Sequence, residues 1–129
     1  MIIGFTGSQK GMTANQFDRL VTLLKDLNPT IAHHGDCIGA DDVFHEICLE
    51  LNIAVVIHPP IENSKRAFCK GSDEILPTKQ YLARNRDIVN ISDELIAVPG
   101  EKTEQLRSGT WATYRYAKKI GKTTHLITP

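Results

Sequence analysis

Three short stretches of this 129-residue sequence hold the residue types that a phosphate-bearing ligand needs. The first, Thr6-Gly7-Ser8-Gln9-Lys10-Gly11, combines glycines that let a ligand approach the backbone, free amides, the Ser8 hydroxyl and the Lys10 cation. A tight turn without a ligand uses the same letters, and the stretch matches neither the dinucleotide fingerprint nor the Walker loop. The second runs from His34 through Gly35, Asp36, Cys37, Ile38, Gly39 and Ala40 to Asp41 and Asp42. Its small residues permit close approach, and its carboxylates can accept hydrogen bonds from sugar hydroxyls. Asp36 equally suits a helix cap. The third, Arg107-Ser108-Gly109-Thr110, opens the final helix, where unpaired amides and the helix dipole favour an anion. Ser108 as the N-cap uses those same amides.

Arg84-Asn85-Arg86 offers two guanidinium groups suited to bidentate phosphate recognition, the alternative being a solvated helix face. Trp111, Tyr114 and Tyr116 follow the third stretch; one of them can stack on a base, although helix packing accounts for most such residues. His33, His34, Asp36, Cys37 and His45 crowd one region, but no pair has a usual ligand spacing, so no metal site is expected.

The elements that must position these stretches alternate between strand and helix. Apolar runs predict strands at Ile2–Thr6, Thr30–His34, Ile53–Ile57, Glu94–Val98 and Thr123–Ile127. Helices are expected from about Thr13, where Thr13 and Gln16 have capping-box spacing, with Phe17, Leu20, Val21 and Leu24 as the apolar stripe. Three more are expected over Ala40–Leu51, with Val43, Ile47 and Leu51 inward, over Lys79–Asn90, and over Thr110–Ile120. Ile61–Thr78 shows no period and reads as a long loop. Such alternation, with right-handed crossovers, predicts an α/β protein with a Rossmann-like open parallel sheet of about five strands and helices on both faces. Ligands of such sheets sit at the carboxyl ends of the strands, where the strand order reverses.

Length and a 41% hydrophobic content predict one domain over residues 1–129. Fifteen basic and fifteen acidic residues cancel, so the general basic field of a nucleic-acid or membrane-surface binder is missing. Three scattered cysteines, Cys37, Cys48 and Cys69, read as reduced thiols. No leader-like start or long apolar run is seen, so a cytoplasmic location away from membranes is expected.

Gly4-Phe5-Thr6-Gly7-Ser8, His34-Gly35-Asp36 with Gly39-Ala40-Asp41, Arg84-Asn85, and Ser92-Asp93 through Val98 to Ser108-Gly109-Thr110 together resemble the SLOG superfamily over nearly the whole chain. That superfamily includes small YspA-like and YpsA-like proteins, a DNA-processing protein that loads recombinase, and the Lonely Guy phosphoribohydrolases. The resemblance implies a nucleotide or nucleotide-derived ligand, with the Gly7 loop, the Gly35 turn, Arg84 and the Gly109-Thr110 helix start forming the pocket; the ligand-binding residues expected are Thr6, Gly7, Ser8, Gln9, Gly35, Asp36, Gly39, Arg84, Asn85, Ser108, Gly109 and Thr110, and no further cofactor is expected. It also implies that self-association is plausible.

The Lonely Guy signature places a glutamate three residues after the threonine of its Gly-x-Gly-Thr turn, and this sequence has Thr113 there. Cleavage of an N-glycosidic bond needs a carboxylate, so binding or sensing is the expected function. The alternative is hydrolysis of nucleoside 5′-monophosphates, with Arg84 orienting phosphate and Asp36, Asp41, Glu101 or Glu104 supplying the carboxylate. A less favoured reading is single-stranded DNA binding through Lys65, Arg66, Lys70 and the aromatic residues near Trp111.

Overall fold

A computed structural model describes all of residues 1–129. Six parallel strands, β1 (Ile2–Gly7), β2 (Ile31–His34), β3 (Ala54–Ile57), β4 (Glu74–Ile75), β5 (Glu94–Val98) and β6 (Thr123–Leu126), form one sheet in the order β4-β3-β2-β1-β5-β6. Helices α1 (Ala14–Leu27), α2 (Ala40–Glu50), α3 (Tyr81–Ile91) and α4 (Gly109–Lys119) make the crossovers. The expected Rossmann-like class holds, with one strand more than the sequence predicts. The extra strand is β4, a two-residue edge paired with β3 through Val56 and Ile57. Two residues carry no readable period, so the sequence gives Ile61–Thr78 as loop; it also contains a 3-10 turn at Asn63–Lys65.

The central strands are apolar on both sides because helices cover both faces. Ile3, Phe5, Ala32, Val55, Ile57, Ile96 and Val98 join Leu20, Leu24, Phe44, Ile47 and Cys48 in the main core. Phe5 stacks on Phe44 with ring centroids 4.1 Å apart. The capping box forms at Thr13, with Gln16 N donating to Thr13 Oγ1 at 3.1 Å and Thr13 N to Gln16 Oε1 at 2.9 Å.

The buried stripe of α1 differs from expectation. Phe17 is exposed, and the inward residues are Gln16, Leu20 and Leu24. Gln16 earns its interior position because Nε2 donates to Pro99 O at 2.7 Å and Ile127 O at 2.9 Å, tying α1 to the ends of β5 and β6. In α2, Phe44, His45, Ile47 and Cys48 are buried, whereas Val43 and Leu51 are half-buried. Only Ile47 of the expected trio is deep.

Strand order reverses between β1 and β5: from β1 the chain first builds outward through β2, β3 and β4, then returns to build β5 and β6. The loops after β1 and β5 therefore face each other across a crevice.

Candidate functional site

A cleft of about 690 Å³ opens at this crevice, within the usual range of small-molecule sites. Gly7, Ser8, Gln9 and Lys10 after β1 form its floor, with Gly100 and Glu101 after β5 and Arg107, Ser108, Gly109 and Thr110 at the start of α4 on one side. Pro60, Ile61, Glu62 and Lys65 after β3, with Gln80 and Tyr81 at the start of α3, close the other. The first and third sequence stretches thus meet in one cleft.

The backbone here is poor in internal partners. Ser108 Oγ accepts from Trp111 N at 3.2 Å, so Ser108 is the N-cap of α4, but the N–H groups of Gly109 and Thr110 make no internal hydrogen bond. Those of Gln9 and Gly100 are likewise unpaired within the chain. The α4 dipole, Lys10, Lys65 and Arg107 add positive potential to these donors. Glu101 supplies the opposite charge on the same wall, its Oε1 accepting from Trp111 Nε1 at 3.0 Å.

The second stretch does not line the cleft; it sits behind it. Arg84 is buried, with Nη1 donating to Gly35 O and, at 2.9 Å, to His58 O, while Nη2 reaches Cys37 Sγ at 3.5 Å. Its Nε has no partner. A side chain at position 35 would run into this guanidinium, which is why glycine stands there. Gly39 adopts φ +91°, and a Cβ on it would meet the backbone of Ser8 and Gln9. The Gly39 turn thereby docks against the first loop, with Ala40 N donating to Ser8 O at 2.9 Å. Thr6 and Asn85 are buried beside these groups and do not line the cleft.

Asp36 is not a helix cap, because the N-cap of α2 is Gly39. Fully buried, Asp36 binds Arg66 Nε through Oδ2 at 2.7 Å and accepts from Cys69 N through Oδ1 at 2.9 Å. It fastens the segment that follows the cleft wall at Ile61–Lys65. Asp41 accepts from Cys37 N at 3.1 Å, and burial pushes its carboxyl up to about 6 against the lowering pull of Arg84. Burial also raises the thiols of Cys37 and Cys48, the latter to about 12, so neither is a thiolate nucleophile at neutral pH.

One grouping was invisible in the sequence because its third member lies far along the chain: His34, His45 and Cys69 bring nitrogen and sulfur atoms within 4.8 Å of one another. The hydrogen bonds nevertheless disfavour a metal. Asp36 N donates to His34 Nδ1 at 3.0 Å, and burial holds the His34 pKa well below its ordinary value, so neutral His34 carries its proton on Nε2. That proton points to His45 Nδ1, 2.9 Å away, and His45 Nε2 donates to Lys70 O at 2.7 Å. His34 Nε2 then has no lone pair to give.

Of the residues considered for DNA, Trp111 is buried, Arg66 is paired with Asp36, and Lys65 and Lys70 stay exposed. Tyr114 packs edge-on against Trp111, and Tyr116 lies under Arg86.

No protein-family model and no curated protein sequence matches this chain at a significant level. Among solved structures it is similar to the molybdenum cofactor binding protein from the phototrophic bacterium Rippkaea orientalis, at 21% identity and a TM-score of 0.77, over 99% of this chain and 76% of that one. It is also similar to TM1055, a structural genomics target, at 16% identity and a TM-score of 0.67, over 95% of this chain and 71% of that one. These likenesses show a shared fold. Fold and cleft together define an α/β protein with a Rossmann-like open sheet and a ligand-sized crevice at its switch point. No helix is long and apolar enough to cross a membrane.

Proposed function

We propose that the cleft binds a nucleotide or nucleotide-derived small molecule by its phosphate. The observation that carries this reading is the convergence of four unpaired N–H groups, from Gln9, Gly100, Gly109 and Thr110, with Lys10, Lys65 and Arg107 around one crevice. Phosphate needs many donors and positive potential, and this arrangement offers both, the cations Lys10, Lys65 and Arg107 outnumbering the lining carboxylates Glu62 and Glu101. In this reading Gly7, Ser8, Gln9, Ser108, Gly109 and Thr110 touch the ligand. Thr6, Gly35, Asp36, Gly39, Arg84 and Asn85 hold the loops from behind. The motif resemblance to the SLOG superfamily agrees with it, as does the use of this fold by a molybdenum cofactor binding protein to hold a small molecule.

Thermal unfolding in the presence of nucleoside mono- and diphosphates and ADP-ribose tests the proposal. A ligand at a hundred times its Kd adds about 2.7 kcal/mol and raises the midpoint. Unchanged midpoints across the whole panel would sink it.

Glu101 favours a second reading, hydrolysis of a nucleoside 5′-monophosphate. Asp36 and Asp41 are shut behind the cleft, and Thr113 Oγ1 is spent on Gly109 O at 2.8 Å; of the carboxylates that line the cleft, Glu62 and Glu101, Glu101 has one oxygen anchored by Trp111 Nε1. Release of free base by the wild type, lost in Glu101→Gln, is the expected result under this reading. Activity that survives Glu101→Gln removes Glu101 from that role.

A further inference from the structure

The cleft has an apolar shoulder that phosphate recognition does not use. Tyr81 lines it and is 40% exposed, beside Ile61, a large aliphatic residue 56% exposed, and Pro60. The two sides are joined by a bridge between Pro60 and Lys79, which sets the beginning of α3 against the end of β3.

The Tyr81 ring is unusually well fixed for an exposed aromatic residue. The Arg84 guanidinium lies over it, 5.0 Å from the centroid, and that guanidinium is itself held by Gly35 O and His58 O. At its hydroxyl edge the ring meets Gly109, where a Cβ would strike the Tyr81 hydroxyl and ring carbons. With Arg84 over the ring and Gly109 at its edge, its open surface borders the cleft beside the unpaired amides of α4. A flat aromatic surface immobilised in this way loses little entropy when another ring stacks on it.

We infer that Tyr81 is the stacking platform for a planar heteroaromatic ring on the ligand, so that the cleft selects nucleoside phosphates over sugar phosphates and inorganic phosphate. The inference rests on the phosphate-binding reading above and assigns the residue that holds the base of such a ligand. Gly109 has a role in it: any side chain there displaces the platform. Pro60 and Ile61 form the apolar border against which the ring's edge is desolvated.

Calorimetric titration of the wild type, Tyr81→Leu and Tyr81→Phe tests this, with inorganic phosphate, ribose 5-phosphate and the four common nucleoside 5′-monophosphates as probes. At least one monophosphate should bind wild type about tenfold more tightly than ribose 5-phosphate, the size of one base–aromatic stack. That ratio should fall to near one in Tyr81→Leu and be retained in Tyr81→Phe, which keeps the ring under Arg84. Retention in Tyr81→Phe separates stacking from loss of the hydroxyl, and unfolding midpoints of both variants check that the fold is intact. Equal wild-type affinities for ribose 5-phosphate and every monophosphate overturn the inference and leave phosphate binding standing. So does a ratio that persists in Tyr81→Leu. Failure of every probe, inorganic phosphate included, overturns this inference, while the phosphate reading falls only if the diphosphates and ADP-ribose also leave the unfolding midpoint unchanged.

Discussion

Arg84 spends its guanidinium on two backbone carbonyls and a tyrosine ring. In the sequence it reads as a phosphate ligand, because an arginine beside an asparagine at a helix start has that chemistry whichever way it points. Its direction is set by tertiary packing: Gly35 leaves space for the guanidinium, and Asp41 lies near enough to be lowered by it. Replacing Arg84 with Met should therefore act on stability first, leaving the carbonyls of Gly35 and His58 unpaired at a cost of about 2 to 3 kcal/mol in urea unfolding. A loss below about 0.5 kcal/mol would show that the carbonyls find other partners. Gly35→Ala, which pushes a methyl group into the same guanidinium, should cost a comparable amount, about 2 kcal/mol by the same assay. Ser8, Gly109 and Thr110 were legible as cleft residues because their chemistry belongs to the backbone, and backbone chemistry is announced locally by glycine and by capping residues. Tyr81 was not, since nothing in its neighbours tells a core tyrosine from one at the rim of a cleft.

At the scale of elements, the strands and helices were legible where one face is buried and the period repeats. Gln16 and Phe17 show where this fails. A rule that sends the more apolar residue inward chooses Phe17, but only Gln16 can satisfy the carbonyls of Pro99 and Ile127. Removing that pair of bonds in Gln16→Leu should destabilise by about 2 kcal/mol despite the gain in hydrophobicity, again by urea unfolding. The stretch after β3 reads as loop for a related reason: it is ordered by isolated side-chain and backbone bonds to residues 36–38, far away in the sequence. Asp36 holds Arg66 and Cys69, while Ile38 N donates to Lys65 O at 3.0 Å and Ala67 N to Asp36 O at 2.8 Å. Asp36→Asn removes the carboxylate charge that pairs with Arg66 and should speed amide hydrogen exchange at Ala67 and Cys69 at least tenfold, with α4 unaffected. Uniform exchange changes across the chain would mean the effect is global.

At the scale of the whole molecule, buried histidines make stability depend on acid. Burial lowers the pKa of His33 and His34, and burial together with His33 brings His58 to about 4. Unfolded histidines titrate near 6.5, so below that pH the unfolded chain takes up protons that the folded one refuses, and stability falls as pH drops from about 6.5 towards 4. Asp41 works the other way: with a folded value of about 6 against 3.8 unfolded, it binds a proton in the folded state over that interval. Three histidines outweigh one carboxyl, so the net slope is a loss in acid. Urea midpoints should be nearly level from about pH 7.5 to 6.5 and fall from there to about 4.5, more steeply in Asp41→Asn, where the compensating proton is gone. A flat profile would show that these histidines are protonated without cost in the fold.

The run from Asp36 N through His34 and His45 to the Lys70 carbonyl has a direction as well as a geometry: each ring must receive a proton on one side and offer one on the other. Such a chain counts residues. If the segment between Arg66 and Lys70 slid by one position, the Lys70 carbonyl would leave its donor on His45, while Asp36 would lose its hold on both Arg66 and the Cys69 amide. The ties at Cys69 and Lys70 are made by backbone atoms, so exchanging the exposed Lys70 side chain leaves them in place, but a single insertion or deletion would unfasten several ties together. What the segment must conserve is its length.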